Sequence, residues 1–161
     1  IYKMLEEIEV ATSIKWPNDI YYGNNKLGGI LVETQISGQK INTCIIGVGI
    51  NINQTQWPDS LPNPISIKQI TGAEIEIKKV YDTWIPFIFH SISKLIVKPD
   101  HIINEQYKNY LYRLNEIQAF KAGNEVFNAA IQGVNSDGEL ELLTDLNENR
   151  KYRFKQVQYI L

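Results

Sequence analysis

The spacing of apolar and polar positions predicts a short helix and then a run of strands in the first third of the chain. Ile1, Leu5 and Ile8 fall on one face of a helix. The strand-like segments that follow cover residues 12–16, 20–22, 26–36 and 41–52. Turn-forming residues such as Pro17 and Gly23 separate them. Because turns this short join antiparallel neighbours, the pattern favours an antiparallel run over a series of βαβ units.

The middle of the chain is predicted to be helical. Residues 54–64 contain three prolines and predict an irregular connection, and residues 66–72 predict a short helix that ends at Gly72. Between residues 77 and 97, apolar residues recur at helical spacing, and Pro86 inside this stretch predicts a kink or a break. A further helix is predicted to begin at Pro99.

The last third returns to short strands, which favours a small barrel or sandwich of SH3-like size. The predicted strands cover residues 116–120, 125–134, 139–144 and 151–161. We therefore expect an α+β fold in which a partial mixed β-sheet, flanked by helices, is followed by a small SH3-like β-barrel. The predicted boundary near residue 114 gives two domains, residues 1–113 and 114–161.

Composition and charge narrow the function classes. The 161 residues carry a formal net charge of -2 and a pI near 5.7, which disfavours nucleic-acid binding. No apolar stretch approaches the length of a membrane span, so no membrane partner is expected. The single cysteine, Cys44, cannot form an intrachain disulfide, which is typical of a reducing cytoplasm. Its apolar neighbours predict a buried side chain and not a nucleophile.

The densest cluster of candidate chemistry lies in residues 15–19 and 26–33. A proline turn presents the carboxylate of Asp19, and the next strand begins with the cation Lys26, followed by Gly28 and Gly29. Paired glycines in a strand mark a bulge or a close backbone approach by a ligand. A lysine beside exposed N–H groups can hold a carboxylate or phosphate, and a lone aspartate can serve Mg²⁺. A solvated hairpin with an unliganded bulge is the alternative, and the pattern alone favours it.

A second cluster, residues 47–53, alternates glycines with β-branched residues. Gly47 and Gly49 predict a flat floor under a planar group, and Asn51 and Asn53 fall on one face. A core strand thinned for packing is the alternative interpretation. The spacing is not a dinucleotide fingerprint, because no third glycine and no helix follow. His90 and His101 have no partners at metal-ligand spacing.

Taken together, three segments in this order resemble the biotin protein ligase family. They read Lys-Trp-Pro-Asn-Asp at 15–19, Lys-Leu-Gly-Gly-Ile-Leu-Val-Glu at 26–33 and Ile-Gly-Val-Gly-Ile-Asn-Ile-Asn at 46–53. The resemblance implies a class II synthetase or biotin-ligase-like fold. It makes residues 1–113 the carboxy-terminal part of the catalytic domain and residues 114–161 the family's small carboxy-terminal domain.

The resemblance implies ATP-dependent attachment of biotin to a lysine of a biotin carboxyl carrier protein through biotinyl-5′-AMP. Lys26 resembles the family lysine that reaches the biotin carboxylate and the α-phosphate, and Lys15 would assist at the phosphates. Asp19 resembles the aspartate linked to Mg²⁺. The other implied ligand contacts divide into a biotin and acyl-phosphate border and an adenylate border. The first comprises Gly28, Gly29, Ile30 and Leu31, and the second Gly47, Gly49 and Asn51.

One departure from the family pattern concerns a Gly/Arg-rich loop that closes on biotin and the phosphates. No such segment occurs in the 161 residues. The chain is therefore expected to be a truncated portion of the ligase, with little or no activity alone. The resemblance implies a carboxylase carrier protein as partner, and a homodimer formed through the sheet. A lipoate-type ligase and a non-catalytic fragment for dimerisation or carrier docking are the alternatives.

Overall fold

The computed structural model describes residues 2–38, 40–97 and 102–160. It forms two compact units, the first made of Ile1–Ser13 with Asn18–Asp100 and the second of Ile14–Pro17 with His101–Leu161. The predicted domain boundary at residue 114 stays a prediction. Three further expectations, on Ile1, Pro99 and His101, lie outside the described residues.

Helices and strands follow one another largely as the sequence pattern predicts. In chain order they are α1 (Tyr2–Glu6), β1 (Ser13–Lys15), β2 (Asp19–Tyr22), β3 (Asn25–Ser37), β4 (Lys40–Ile50), α2 (Ile67–Thr71), α3 (Ile77–Val97), α4 (Ile102–Asn109), β5 (Ile117–Ala122), β6 (Glu125–Val134), β7 (Leu140–Thr144), β8 (Asn149–Tyr152) and β9 (Gln158–Tyr159). The α+β class is thus confirmed. The six strand pairs from β2–β3 to β7–β8 and β5–β9 whose register is described are antiparallel, whereas a mixed sheet was predicted.

In the first unit, β2, β3 and β4 form an antiparallel meander. The register slips between Ile20 and Tyr21, so Leu27 is an extra residue that bulges between Lys26 and Gly28. One face of the meander packs on a core supplied by the helix, the loops and the strands. The fully or nearly buried members of this core are Leu5, Val10, Ile20, Leu27 and Ile67.

The helices of the first unit begin and end where their local chemistry indicates. Ser66 caps α2 in a capping box with Gln69, and Gly72 ends it with a left-handed φ of 75°. Helix α3 is one continuous element that contains Pro86, so the predicted break does not occur. Among the described residues, no helix is long and apolar enough to cross a membrane.

The outer part of the β3–β4 hairpin is exposed on both faces. Its exposed apolar residues are Leu31, Val32, Ile36, Ile41, Ile45, Ile46 and Val48. Cys44 lies opposite Thr34 in this hairpin and is exposed. The prediction that Cys44 is buried was therefore wrong, because an apolar run in a strand does not by itself provide a second layer to cover it.

The second unit contains a five-stranded antiparallel sheet with the order β8-β7-β6-β5-β9. Among the described strands, β8 and β9 are its edges and do not pair with each other, so the sheet is not a closed barrel. The strand predicted over residues 151–161 is two short strands instead. A turn separates them, in which the N–H of Gln156 donates to Arg153 (3.0 Å) and Lys155 has a φ of 67°.

The segment Ile14–Pro17 is part of the second unit. The indole N–H of buried Trp16 donates to the carbonyl of Gly138 at 3.0 Å. The Tyr107 hydroxyl donates to the carbonyl of Pro17 at 3.2 Å, and burial raises the pKa of Tyr107 to about 12. These bonds anchor both ends of the Trp-Pro dipeptide in the core of the second unit.

Candidate functional site

The carboxylate of Asp19 is fixed by the register between β2 and β3. Asp19 pairs directly with Gly29. The preceding residue, Asn18, makes two hydrogen bonds with the backbone of Ile30. The Asn18 amide donates to the carbonyl of Ile30 at 2.6 Å, and the N–H of Ile30 donates to the carbonyl of Asn18 at 2.9 Å. These bonds fix the start of β2 against β3, so the backbone of Asp19 has little freedom.

Lys26 and Asp19 form an ion pair on the same face of the meander. The Lys26 Nζ lies 2.6 Å from Oδ1 of Asp19, with side-chain exposures of 45% and 27%. The structure thus brings together the two residues that the sequence singled out from neighbouring segments. Because the ammonium of Lys26 is only half-buried, it can bind an incoming anion while it stays partly hydrated.

Three glycines extend this face as a surface without side chains, which we call the glycine floor (Gly29, Gly47 and Gly49). Gly29 pairs with Gly49, and Leu31 pairs with Gly47. Paired residues of antiparallel strands project to the same side, so the floor shares the face that carries Asp19. The nearest atoms to a Cβ at position 47 or 49 lie at 3.9 Å, so the floor has open space above it.

Gly28 belongs to the opposite face and has a different role. A Cβ at position 28 would overlap the carbonyl oxygen of Gly49 and lie 2.9 Å from Cδ1 of Ile50. The close backbone approach that the paired glycines predicted is therefore made by a neighbouring strand. The predicted bulge is present as well, one residue earlier at Leu27.

The side-chain amides of Asn51 and Asn53 bind backbone groups. The Asn51 Nδ2 donates to the carbonyls of Lys26 (3.3 Å) and Ile65 (3.1 Å). Asn53 makes a two-point contact with Ile75, donating from Nδ2 at 2.7 Å and accepting the Ile75 N–H at 3.0 Å. Both asparagines therefore join the end of β4 to later parts of the first unit.

Sequence reasoning missed the segment Asn63–Ile65 at this site. The N–H of Lys26 donates to the carbonyl of Asn63 at 2.7 Å, and the N–H of Ile65 donates to the carbonyl of Lys26 at 3.0 Å. The prolines around it predicted only an irregular connection. No local signal identifies its partner, because the contact spans almost forty residues of sequence.

Lys15 belongs to the second unit, where its Nζ lies 4.9 Å from the centre of the Tyr159 ring. An ammonium at this distance over an aromatic face is a cation–π contact. Tyr159 in turn lies 5.0 Å from the Phe120 ring, between centroids, so Lys15 is next to an aromatic cluster of that unit.

Asp19 fits a divalent cation only in a limited way. In the part of the chain that the structure describes, no group of three or more His, Cys, Asp or Glu residues could hold a metal ion. One oxygen of Asp19 already accepts from Lys26. A single carboxylate suits Mg²⁺ when phosphates and water supply the remaining oxygens, so the residues fit a cation carried by a nucleotide.

The sequence of this chain is similar to those of known ligases. A sequence profile of the biotin/lipoate A/B protein ligase family matches residues 2–51. The bifunctional ligase/repressor BirA of Bacillus subtilis (strain 168) is 40% identical over 74 residues, 44% of this chain and 23% of that protein. The biotin–[acetyl-CoA-carboxylase] ligase of Paracoccus denitrificans is 25% identical over 135 residues, 81% of this chain and 56% of that protein.

Solved structures give the same likeness. The apo biotin protein ligase from Aquifex aeolicus has a TM-score of 0.76 at 25% identity, covering 98% of this chain and 69% of that chain. The same ligase in complex with biotin and ATP has a TM-score of 0.76 at 24% identity and covers 99% and 67%, which shows a shared fold. The chain spans 23% and 56% of the lengths of the two curated relatives named above.

Proposed function

The chain belongs to the biotin protein ligase family, and from this premise we propose that its first unit carries part of the site for ATP-dependent attachment of biotin to a carrier-protein lysine. The observation that supports the proposal most directly is the Lys26–Asp19 ion pair beside the glycine floor. It offers a cation, a carboxylate and a flat open surface within one small area.

The proposed reaction has two steps. A carboxylate oxygen of biotin attacks the α-phosphorus of ATP, the bond to the β-phosphate oxygen breaks, and pyrophosphate leaves with biotinyl-5′-AMP still bound. The ε-amine of a lysine on a biotin carboxyl carrier protein then attacks the acyl carbon. An amide forms, AMP leaves with the bonding electron pair, and the amine gives up a proton.

Lys26 would act where negative charge accumulates. Its ammonium can donate to an oxygen of the biotin carboxylate or the α-phosphate and stabilise the charge that develops in the transition state. The ion pair with Asp19 keeps the ammonium over the face that carries the floor. Both side chains keep contact with solvent, so an arriving anion can compete with Asp19 for Lys26.

The residues of the glycine floor and their neighbours would contact the ligand through a flat surface that matches its shape. Gly29 and Leu31 face the same side as the ion pair and would contact the biotin and acyl-phosphate, with Gly47 and Gly49 under the adenylate. Gly28 and Ile30 alternate to the opposite face, so they would contribute through their backbone. For Asn51, the proposed contact with the nucleotide would have to use atoms beyond its Nδ2, which binds two carbonyls.

ATP and biotin are the proposed substrates, with Mg²⁺ neutralising the triphosphate when bound. Asp19 would reach such a cation only through the oxygen that does not serve Lys26, or after Lys26 has moved to the phosphate. The role of Lys15 at the phosphates is proposed from the motif alone.

The proposed partners are a carboxylase carrier protein and a second copy of the chain. Among the described strands of the first unit, β4 pairs only with β3, so its outer edge presents backbone groups that another strand could pair with. The apolar residues on the outer hairpin add surface that association would bury. The SH3-like character of the open five-stranded sheet in the second unit is also part of the proposal.

The test is calorimetric titration of the 161-residue chain with a non-hydrolysable 5′-O-sulfamoyl analogue of biotinyl-adenylate and with the matching lipoyl analogue. We expect binding of the biotinyl compound, much weaker but measurable binding in Lys26→Ala, and little biotin-dependent ATP–pyrophosphate exchange. Tighter binding of the lipoyl compound would show that the substrate is lipoate and not biotin. Carrier binding that survives Lys26→Ala, together with no binding of either analogue, would make the chain a non-catalytic module.

A further inference from the structure

The peptide of Lys26 is held more firmly than its exposed side chain. A parallel bridge pairs Lys26 with Pro64, in which the flanking residues make both hydrogen bonds. Proline suits the centre of this bridge, because the geometry does not use the N–H that proline lacks. The backbone of Lys26, the lysine proposed to stabilise the developing negative charge, is thus fixed by a segment distant in sequence.

Asn51, the residue that follows β4, contacts both segments of this bridge. One amide nitrogen has two N–H groups, and here they serve the carbonyls of Lys26 and Ile65, the two ends of the bridge. The backbone of Asn51 is itself bound, since its N–H donates to the carbonyl of Leu27 at 2.9 Å and its carbonyl accepts from Ile67 at 3.0 Å. The backbone of Asn51 is therefore fixed, and its side-chain amide connects the segment of Lys26 with that of Ile65.

From these contacts we infer that Asn51 is a positioning residue for Lys26, acting through the lysine peptide. The inference rests on the proposed function, in which Lys26 meets the acyl-phosphate. A lysine side chain has four flexible carbons, and an ion pair as exposed as that with Asp19 holds its ammonium only weakly. The location of the ammonium therefore depends on the Cα position, which the amide of Asn51 and the bridge determine.

Asn53 provides a matched control in the same segment. Its amide also makes two hydrogen bonds to backbone groups, but both go to Ile75, and neither concerns Lys26. Asn51→Ala and Asn53→Ala each remove one side chain that bonds the backbone twice, so we expect similar losses of thermal stability. Only the first substitution should change the position of the Lys26 ammonium.

The experiment is a double-mutant cycle of Asn51→Ala with Lys26→Ala, read out as affinity for the sulfamoyl analogue of biotinyl-adenylate. We expect Asn51→Ala to weaken binding about tenfold in the wild-type background. In the Lys26→Ala background the loss should be much smaller, because most of the effect of Asn51 on binding acts through the lysine. Asn53→Ala should leave affinity unchanged in both backgrounds. An equal loss from Asn51→Ala in both backgrounds would identify a direct nucleotide contact and overturn the inference.

A second readout separates the inference from the proposed function. Side-chain NMR signals of Lys26, assigned by comparison with Lys26→Ala, should shift in Asn51→Ala and not in Asn53→Ala. That result would support the positioning role of Asn51 even if the wild-type chain bound no analogue. A lack of analogue binding would contradict the proposed function and leave the positioning role intact. Unchanged Lys26 signals in Asn51→Ala would overturn positioning. If Asn51→Ala does not fold, Asn51→Ser, which keeps one hydrogen-bond donor, replaces it in both measurements: shifted Lys26 signals support the inference, and unchanged signals refute it.

Discussion

Asp19 and Gly29 pair directly across β2 and β3, and a Cβ atom at position 29 would lie only 3.2 Å from Oδ1 of the aspartate. The glycine therefore leaves room for the carboxylate above the strand. This one pairing brings the end of the first motif onto the second, so that Lys26, seven residues along the chain, reaches the same oxygen. The order of the motifs in the sequence thus becomes proximity in the fold through a hairpin register.

Replacing Lys26 should separate ligand binding from stability. Because the ion pair is partly exposed, we expect Lys26→Ala to change the free energy of unfolding by at most about 1 kcal/mol. Affinity for the biotinyl-adenylate analogue should fall strongly but stay measurable, since the cation of the Lys26–Asp19 pair is removed. Urea unfolding and calorimetric titration measure the two effects. The control is Lys68→Ala, which removes another ion pair of the first unit, that with Glu74 at 2.9 Å. Equal loss of binding in this control would contradict a specific role for Lys26.

Gly28 should be essential for stability, for reasons of backbone packing. An alanine Cβ there would overlap the carbonyl oxygen of Gly49, which belongs to a paired strand and cannot rotate away. We expect Gly28→Ala to lower the free energy of unfolding by about 1–3 kcal/mol, measured by urea denaturation. Gly47→Ala is the control, because its nearest neighbours lie at 3.9 Å and its expected change is within about 0.5 kcal/mol. Comparable losses in the two variants would show that the β3–β4 register differs from that described.

The strands were predictable because they depend on local signals. Alternation locates β3 and β4, and residues with positive φ, such as Gly23 and Gly138, mark the turns between strands. Of the contacts at the site, the sequence predicted only the one between the neighbouring segments 15–19 and 26–33. The bridge from Lys26 to Pro64 was not predictable, because backbone hydrogen bonds between distant segments carry no residue-type signature.

Exposure was the other property that sequence could not supply. An apolar run predicts a strand, but whether a second layer covers that strand depends on elements elsewhere in the fold, as Cys44 shows. The long terminal strand predicted over residues 151–161 was interrupted by a turn at Arg153–Gln156, which contains neither glycine nor proline. Lys155 adopts a left-handed φ there that its residue type does not favour, so no residue signalled the turn.

Tyr107 should make the second unit sensitive to alkaline pH. Burial raises its pKa to about 12 from the ordinary value of 10.0, so the unfolded chain loses this proton at lower pH than the folded chain. The contribution is therefore complete below pH 10 and is lost as the pH rises through 12. Tyr107→Phe should remove this slope and, by deleting the bond to Pro17, cost about 1 kcal/mol near neutral pH. Urea unfolding between pH 8 and 12 measures both effects, with Tyr81→Phe, at an exposed tyrosine, as the control. An identical alkaline slope in Tyr107→Phe would refute the assignment.

Glu139 should contribute to acid sensitivity in the opposite sense. The hydrogen bond from Asn135 (2.9 Å), and then that from Arg153 (3.0 Å), hold the pKa of Glu139 below its ordinary value of 4.5. A depressed pKa stabilises the folded chain above pH 4.5, and this stabilisation is lost as the pH falls through the folded-state value. We expect Glu139→Gln to lower stability at neutral pH and to flatten the fall in unfolding free energy below pH 4.5.

The measurement for Glu139 is urea unfolding at pH steps from 3 to 7, followed by fluorescence of the buried Trp16, which lies in the same unit. Glu116→Gln is the matched control, because it removes one carboxylate from an exposed position of that unit. The bonds around Glu139 also order the turn before β7, where the Asn135 Oδ1 accepts the N–H groups of Asp137 (3.0 Å) and Glu139 (2.9 Å). If Glu139→Gln kept the full acid slope of the wild type, the Asn135 and Arg153 contacts would have to be absent in solution, since each of them stabilises the charged carboxylate.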